Sequence, residues 1–114
     1  MSLQYDQAID DCDQAITIAT QFGKSYLAII YDTRGGIFEA KGQYDKAVIN
    51  YNQAIAFNPN YSMAYFNKAN LYKRLGQNSK ATENYQKFLA IAPSVFSQEV
   101  SIAKQMLEVM KETK

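Results

Sequence analysis

Aromatic and small residues recur along the chain at steps of three and four, the spacing that keeps side chains on one face of an α-helix. Tyr65, Ala69 and Tyr72 form one such stripe, and Ala81, Tyr85, Phe88 and Leu89 form the next. Between them stands Gly76, placed as the left-handed residue that follows a helix, and Asn78 and Ser79 offer cap oxygens for the second helix. Pro93 ends the unit, since proline cannot continue a helix interior. The same plan lies upstream: Tyr31, Gly35 and Phe38, a break at Gly42, then Ala47, Tyr51, Ala54, Ile55 and Pro59.

The two plans are in register. Pro59 and Pro93 are 34 positions apart, and so are Gly42 and Gly76, Ala47 and Ala81, Tyr51 and Tyr85, and Tyr31 and Tyr65. Phe38 with Tyr72, Gly35 with Ala69 and Ile55 with Leu89 keep the same step with similar residues. A fixed period of this length marks a stacked array of helical hairpins. The small residues Gly35, Ala69, Ala47 and Ala81 let paired backbones approach, and the aromatics fill the space beside them.

These residues resemble the tetratricopeptide repeat: Tyr31, Gly35, Phe38, Ala47, Tyr51, Ala54 and Pro59 match its pattern in one unit, and Tyr65, Ala69, Tyr72, Ala81, Tyr85 and Pro93 in the next. Phe88 replaces the last alanine, and Arg34 and Lys68 replace the family's leucine, their stems covering the core edge while the charges reach water. The resemblance implies an all-α, right-handed array of antiparallel helix pairs, a tetratricopeptide superhelix of about six helices, forming a single domain over 1–114. The full repeats span 28–61 and 62–95. Residues 4–20, with Tyr5, Ala8, Ile9, Cys12, Ala15 and Ile16, read as the second helix of a partial repeat whose first helix the chain lacks, which favours a piece of a longer array. From Ala8 to Ala47 is 39 positions, so about five extra residues lie near Phe22–Leu27, lengthening the turn or the next helix. Residues 96–112 form a last, capping helix, amphipathic through Phe96, Val100, Ala103, Leu107 and Met110.

The family binds partners on the concave face lined by first helices. That face here would carry Ile29, Asp32, Thr33, Gly36 and Glu39, then Met63, Phe66, Asn67, Asn70, Lys73 and Arg74. Asparagine amides suit a peptide backbone, Phe66 and Met63 an apolar anchor, and Lys73 and Arg74 a carboxylate. Some relatives clamp the acidic tail of heat-shock chaperones with Lys and Asn, Asn, then Lys and Arg. Asp32, Gly36, Asn67, Ser97 and Ser101 stand at those positions, one match in five, so that clamp is rejected.

The 114 residues carry net charge +1 and no histidine, which removes the commonest general base and metal ligand. No catalytic residue, cofactor or metal is expected. Asp6, Asp10 and Asp13 share one helix side, but no glycine-turned loop wraps an ion there. Arg34-Gly35-Gly36 lies inside a helix and makes no phosphate loop. Cys12 reads as a small buried filler at the position of Tyr51 and Tyr85. With no signal peptide, no apolar run of membrane-spanning length and one cysteine, the default compartment is the cytoplasm. The leading function is a scaffold holding a protein or peptide partner. Self-assembly is the alternative, as a homodimer through residues 4–27, because part of the first apolar stripe lacks its covering helix. RNA binding is disfavoured by the balanced charge. Charge is nevertheless uneven: Asp6, Asp10, Asp11 and Asp13 face only Lys24 in residues 1–27, whereas Lys68, Lys73, Arg74, Lys80 and Lys87 face only Glu83 in residues 62–95.

Overall fold

In the computed structural model, residues 2–21 and 23–112 are described. Among them lie six α-helices: α1 (Ser2–Ala19), α2 (Lys24–Ala40), α3 (Tyr44–Phe57), α4 (Ser62–Arg74), α5 (Asn78–Ile91) and α6 (Ser97–Glu112). A short 3-10 turn, Ser94–Phe96, precedes α6, and no β-strand occurs among the described residues. Consecutive helices pack on one another, with α2 paired to α3, α4 to α5, and α2 touching α4 across the stack. This is an all-α superhelix of antiparallel pairs.

The hairpin turns are built by the glycines. Gly42 and Gly76 have φ of 84° and 77°, a region that costs other residues strain. Gly76 N–H donates to the Lys73 carbonyl at 3.1 Å and Gln77 N–H to the Tyr72 carbonyl at 2.9 Å. The equivalent pair at the first turn runs from Gly42 to Glu39 and from Gln43 to Phe38. This double closure satisfies carbonyls that a helix end leaves open. Asn78 and Ser79 do not cap α5 as the sequence suggests. The chain enters the helix at Gln77, which makes no side-chain cap bond, so Asn78 already lies in the first turn. The helices before the prolines stop at Phe57 and Ile91, two residues short of Pro59 and Pro93.

Two apolar clusters hold the stack. Phe38, Ala47, Tyr51 and Leu71 form one, joining α2, α3 and α4, with Ile9 of α1 against it. Phe66, Ala69, Ala81, Tyr85, Phe88, Ala103 and Met110 form the other, with Phe96, Val100 and Leu107 packed on it. Gly35 is needed for the first: a Cβ there would lie 2.7 Å from the Tyr51 ring. Ala69 fills that place in the second repeat and is fully buried.

The extra residues upstream lengthen a helix. The described α2 has 17 residues against 13 in α4, extended at its N-terminal end. Phe22 lies outside the described residues. The α1 stripe is covered less than its equivalents. Ala47, Asn50, Tyr51 and Ala54 of α3 are all buried, whereas Ala8, Cys12 and Ala15 are half-buried and Asp11 is exposed. Cys12 is therefore only a half-buried filler. Burial, the largest influence, pushes its thiol pKa up, which disfavours the thiolate.

Candidate functional site

The first helices of the two repeats, α2 and α4, carry the predicted groove residues, and the structure ties several of them together. Asn67 Nδ2 donates to Asp32 Oδ1 at 2.9 Å, and the Tyr61 hydroxyl reaches Asp32 Oδ2 at 3.4 Å. Two turns further along, Arg74 Nη1 meets Glu39 Oε2 at 2.5 Å, while the Tyr51 hydroxyl donates to Glu39 Oε1 at 2.8 Å. Glu39 thus links α2, α3 and α4 through one carboxylate. Its side chain is 16% exposed and that of Arg74 57%, so screening leaves this pair a modest contribution, at most about 1 kcal/mol. Burial, its largest influence, raises the Asp32 pKa, and the bonds from Asn67 and Tyr61 partly offset it.

These bonds change the expected roles. Arg74 is already neutralised by Glu39, and its guanidinium also lies 5.7 Å from the Tyr44 ring centroid. Lys73 is exposed and has no ion pair among the described residues, so it is the available groove cation. Asn70 Oδ1 accepts from the Tyr85 hydroxyl, which leaves its amide N–H groups free to donate. Thr33 is exposed and spends its hydroxyl on the Ile29 carbonyl at 2.9 Å. Gly36 is exposed, Met63 is half-buried and Ile29 is 49% exposed.

Phe66 is not a groove residue. It is only 7% exposed, with its ring 6.1 Å from Tyr85 and 5.0 Å from Phe88. A ring held this way serves the core and has no face left for a ligand. Its position is where the first repeat carries Asp32, 34 residues earlier. Phe88 stands in turn where the first repeat carries Ala54. The paired enlargement of both positions was the available signal that Phe66 points inward.

Sequence reasoning also missed what the Arg34 and Lys68 positions do. Arg34 does more than extend its charge into water. Its Nε meets Asp13 of α1 at 2.8 Å, its Nη1 donates to Asn50 at 2.9 Å, and its guanidinium sits 4.9 Å from the Phe38 ring centroid. Lys41 pairs likewise with Asp6. Two of the four aspartates of α1 are therefore held by cations, Arg34 of α2 and Lys41 just past its end. Asp10 and Asp11 accept instead from Gln14 and Gln7, each at 3.1 Å. Lys68 is half-buried, and its pKa is lowered first by burial and then by Lys87.

An apolar cleft of about 280 Å³ opens between α1 and α2, lined by Ala15, Ile18, Ala19, Tyr26 and Ile30. Ile18 and Tyr26 are each 60% exposed. No described helix is long and apolar enough to cross a membrane.

Family models for the TPR repeat match residues 35–76 and for the tetratricopeptide repeat residues 64–95. Together they cover both glycine turns and the Glu39–Arg74 contact. The chain belongs to the tetratricopeptide repeat family. It is similar to the human protein named Tetratricopeptide repeat protein 6, at 38% identity over 64 residues, which are 56% of this chain and 11% of that protein. A solved structure titled "Crystal structure of MamA" superposes with a TM-score of 0.69 at 22% sequence identity. That match covers 95% of this tetratricopeptide chain and 63% of the other, and it bears on the fold. The chain thus spans less than two thirds of each of these relatives. As a tetratricopeptide array it is a protein-interaction scaffold in general type.

Proposed function

We propose that the chain is a non-catalytic, cytoplasmic scaffold that holds an extended peptide of a partner protein along the α2–α4 face. The observation that supports this most is the pre-ordering of that face. Asp32–Asn67 and Glu39–Arg74 bridge the two first helices, so a ligand meets side chains that are already fixed, which lowers the ordering cost of binding. Asn70 and Lys73 supply the unspent donors, and Met63 and Ile29 supply apolar surface. Asp32, Asn67, Glu39 and Arg74 shape the walls, with Thr33 and Gly36 on the floor. The test is a pull-down of the natural partner with the intact chain and with Asn70→Ala/Lys73→Ala. Loss of real contacts weakens binding by about 1–3 kcal/mol. Unchanged capture by this variant would move the ligand off the face.

Self-assembly is the second reading, and the cleft between α1 and α2 favours it. Exposed Ile18 and Tyr26, beside the half-covered α1 stripe, make an apolar surface of the kind that contacts another chain. Residues 4–27 would then lie in a homodimer interface. A purely monomeric chain in sedimentation at hundreds of micromolar would end this reading.

A further inference from the structure

We propose that Lys68, Lys80 and Lys87 form a second binding site, away from the groove, that takes an acidic peptide segment by its carboxylates. The case begins with the two repeats compared at one position. Arg34 and Lys68 are equivalent, 34 residues apart. The charge of Arg34 is met by Asp13, supplied by the preceding helix α1 at 2.8 Å. The helix that precedes Lys68 is α3, and the step of 39 residues that relates Ala8 to Ala47 places Asn52 where Asp13 would stand. Lys68 therefore receives no carboxylate from its preceding helix.

Its neighbours add to the surplus. Lys87 and Lys80 of α5 both act on Lys68 as like charges, and Glu83 is the acid beside them. Glu83 is already paired with Lys87 at 3.1 Å. Three ammonium groups thus share one carboxylate. The cluster is built along the α4–α5 seam, with Lys80 lying 5.4 Å from the Tyr72 ring centroid and Lys87 6.0 Å from that of Tyr65. Cation–π contact orients both lysines over the seam. Around α4, the groove residues Met63, Asn67, Asn70 and Arg74 are roughly 100–160° from Lys68, at 3.6 residues per turn, so the two sites face different ways.

The spacing selects the ligand class. Lys80 and Lys87 are seven residues apart on one helix, roughly 10 Å along its axis. Lone phosphate does not span that distance, and lysine lacks the forked donors that grip one. A chain of carboxylates spans it, each meeting one ammonium. Nucleic acid is also an extended polyanion, but it gains by stacking bases on aromatic faces. The faces of Tyr65 and Tyr72 are covered by Lys87 and Lys80.

The experiment is fluorescence anisotropy of a short labelled peptide of alternating Asp and Glu, titrated with the full chain at low salt. Binding that weakens on adding salt is expected. Lys68→Gln/Lys80→Gln/Lys87→Gln should weaken it roughly tenfold, the product of three screened ion pairs. The exposed pair alone, Lys80→Gln/Lys87→Gln, should weaken it about threefold and guards against a folding defect at Lys68. Asn70→Ala/Lys73→Ala should leave it unchanged. The site is overturned if the lysine variants bind the peptide as the parent does, or if the groove variant abolishes binding. It is overturned also if polyuridylate RNA displaces the peptide and its own binding falls in the lysine variants, which would make the cluster a nucleic-acid site.

Discussion

Gly35 and Gly36 are adjacent in α2, and replacing each with alanine sets helix propensity against packing with opposite results. Both replacements gain about 1 kcal/mol from propensity, because glycine is the poorer helix former and has the freer unfolded chain. At Gly35 the new Cβ falls 2.7 Å from two atoms of the Tyr51 ring and 3.2 Å from the Ala47 carbonyl oxygen. Tyr51 is 2% exposed and its hydroxyl is fixed to Glu39, so the ring cannot swing clear without breaking that bond. Overpacking of this kind costs about 1–3 kcal/mol, and losing the hydroxyl contact adds about 1 kcal/mol. Gly35→Ala is therefore expected to destabilise the chain by about 1–3 kcal/mol net. At Gly36 the nearest atom is the Tyr51 hydroxyl at 3.8 Å, an ordinary contact. Gly36→Ala should keep its propensity gain and stabilise by about 0.5–1 kcal/mol. Urea unfolding followed by circular dichroism at constant slope reads both values. A Gly35→Ala midpoint at or above the parent's would refute the claim that close approach of α2 and α3 requires the missing side chain.

Phe66→Ala should cost about 3–5 kcal/mol of stability, read as a fall in thermal midpoint, because the ring is core; near-parental stability would return Phe66 to the groove. Asp32 has a folded pKa above its ordinary 3.8, so its contribution to stability is complete below that value and is lost as pH rises through the higher folded one. Asp32→Asn should therefore remove part of the parent's loss of urea midpoint just above pH 3.8; identical profiles would show that the carboxyl is not strained by burial. Burial pushes the phenol of Tyr85 up to about 12, so its contribution holds below its ordinary 10 and is lost as pH rises through about 12. Tyr85→Phe should flatten alkaline unfolding in that window, leaving a residual slope from Tyr61, whose phenol burial also raises to about 12.

The helical plan is legible in the sequence because the residues that make it are repeated. Gly42 and Gly76 take the positive φ, and Gly35 and Ala69 admit Tyr51 and Tyr85, so both units announce the same packing at the same step. The groove is less legible because facing direction alone does not separate solvent from core. Asp32 and Phe66 occupy one helical position, yet one accepts an inter-repeat hydrogen bond and the other fills the second cluster. Only Phe88, enlarged in step with Phe66, carries that difference in the sequence. Arg74 misleads in another way: its charge looks available until Glu39, 35 residues earlier, is brought to it. Pairings at that separation join different repeats, and neither helical period nor composition encodes them.

Positions shared by the two repeats and positions that differ between them do different physical work. Ala47 and Ala81, or Tyr51 and Tyr85, are almost fully buried in both repeats, and their exchange would alter packing wherever they occur. Such residues cannot distinguish one partner from another. Partner choice must come from departures from the period, and three bear on the two faces of α4 proposed above. Gly36 becomes Asn70, which adds an amide to the groove. Glu39 becomes Lys73, which exchanges a bridging carboxylate for an open ammonium. Arg34, neutralised by Asp13, becomes Lys68, whose preceding helix offers Asn52. All three shift the second repeat toward donors and positive charge. Backbone carbonyls suit the donors that Asn70 and Lys73 add to the groove, whereas a ligand rich in carboxylates suits the Lys68 side of α4 and would be repelled by Asp32 and Glu39 on the groove side of the first repeat.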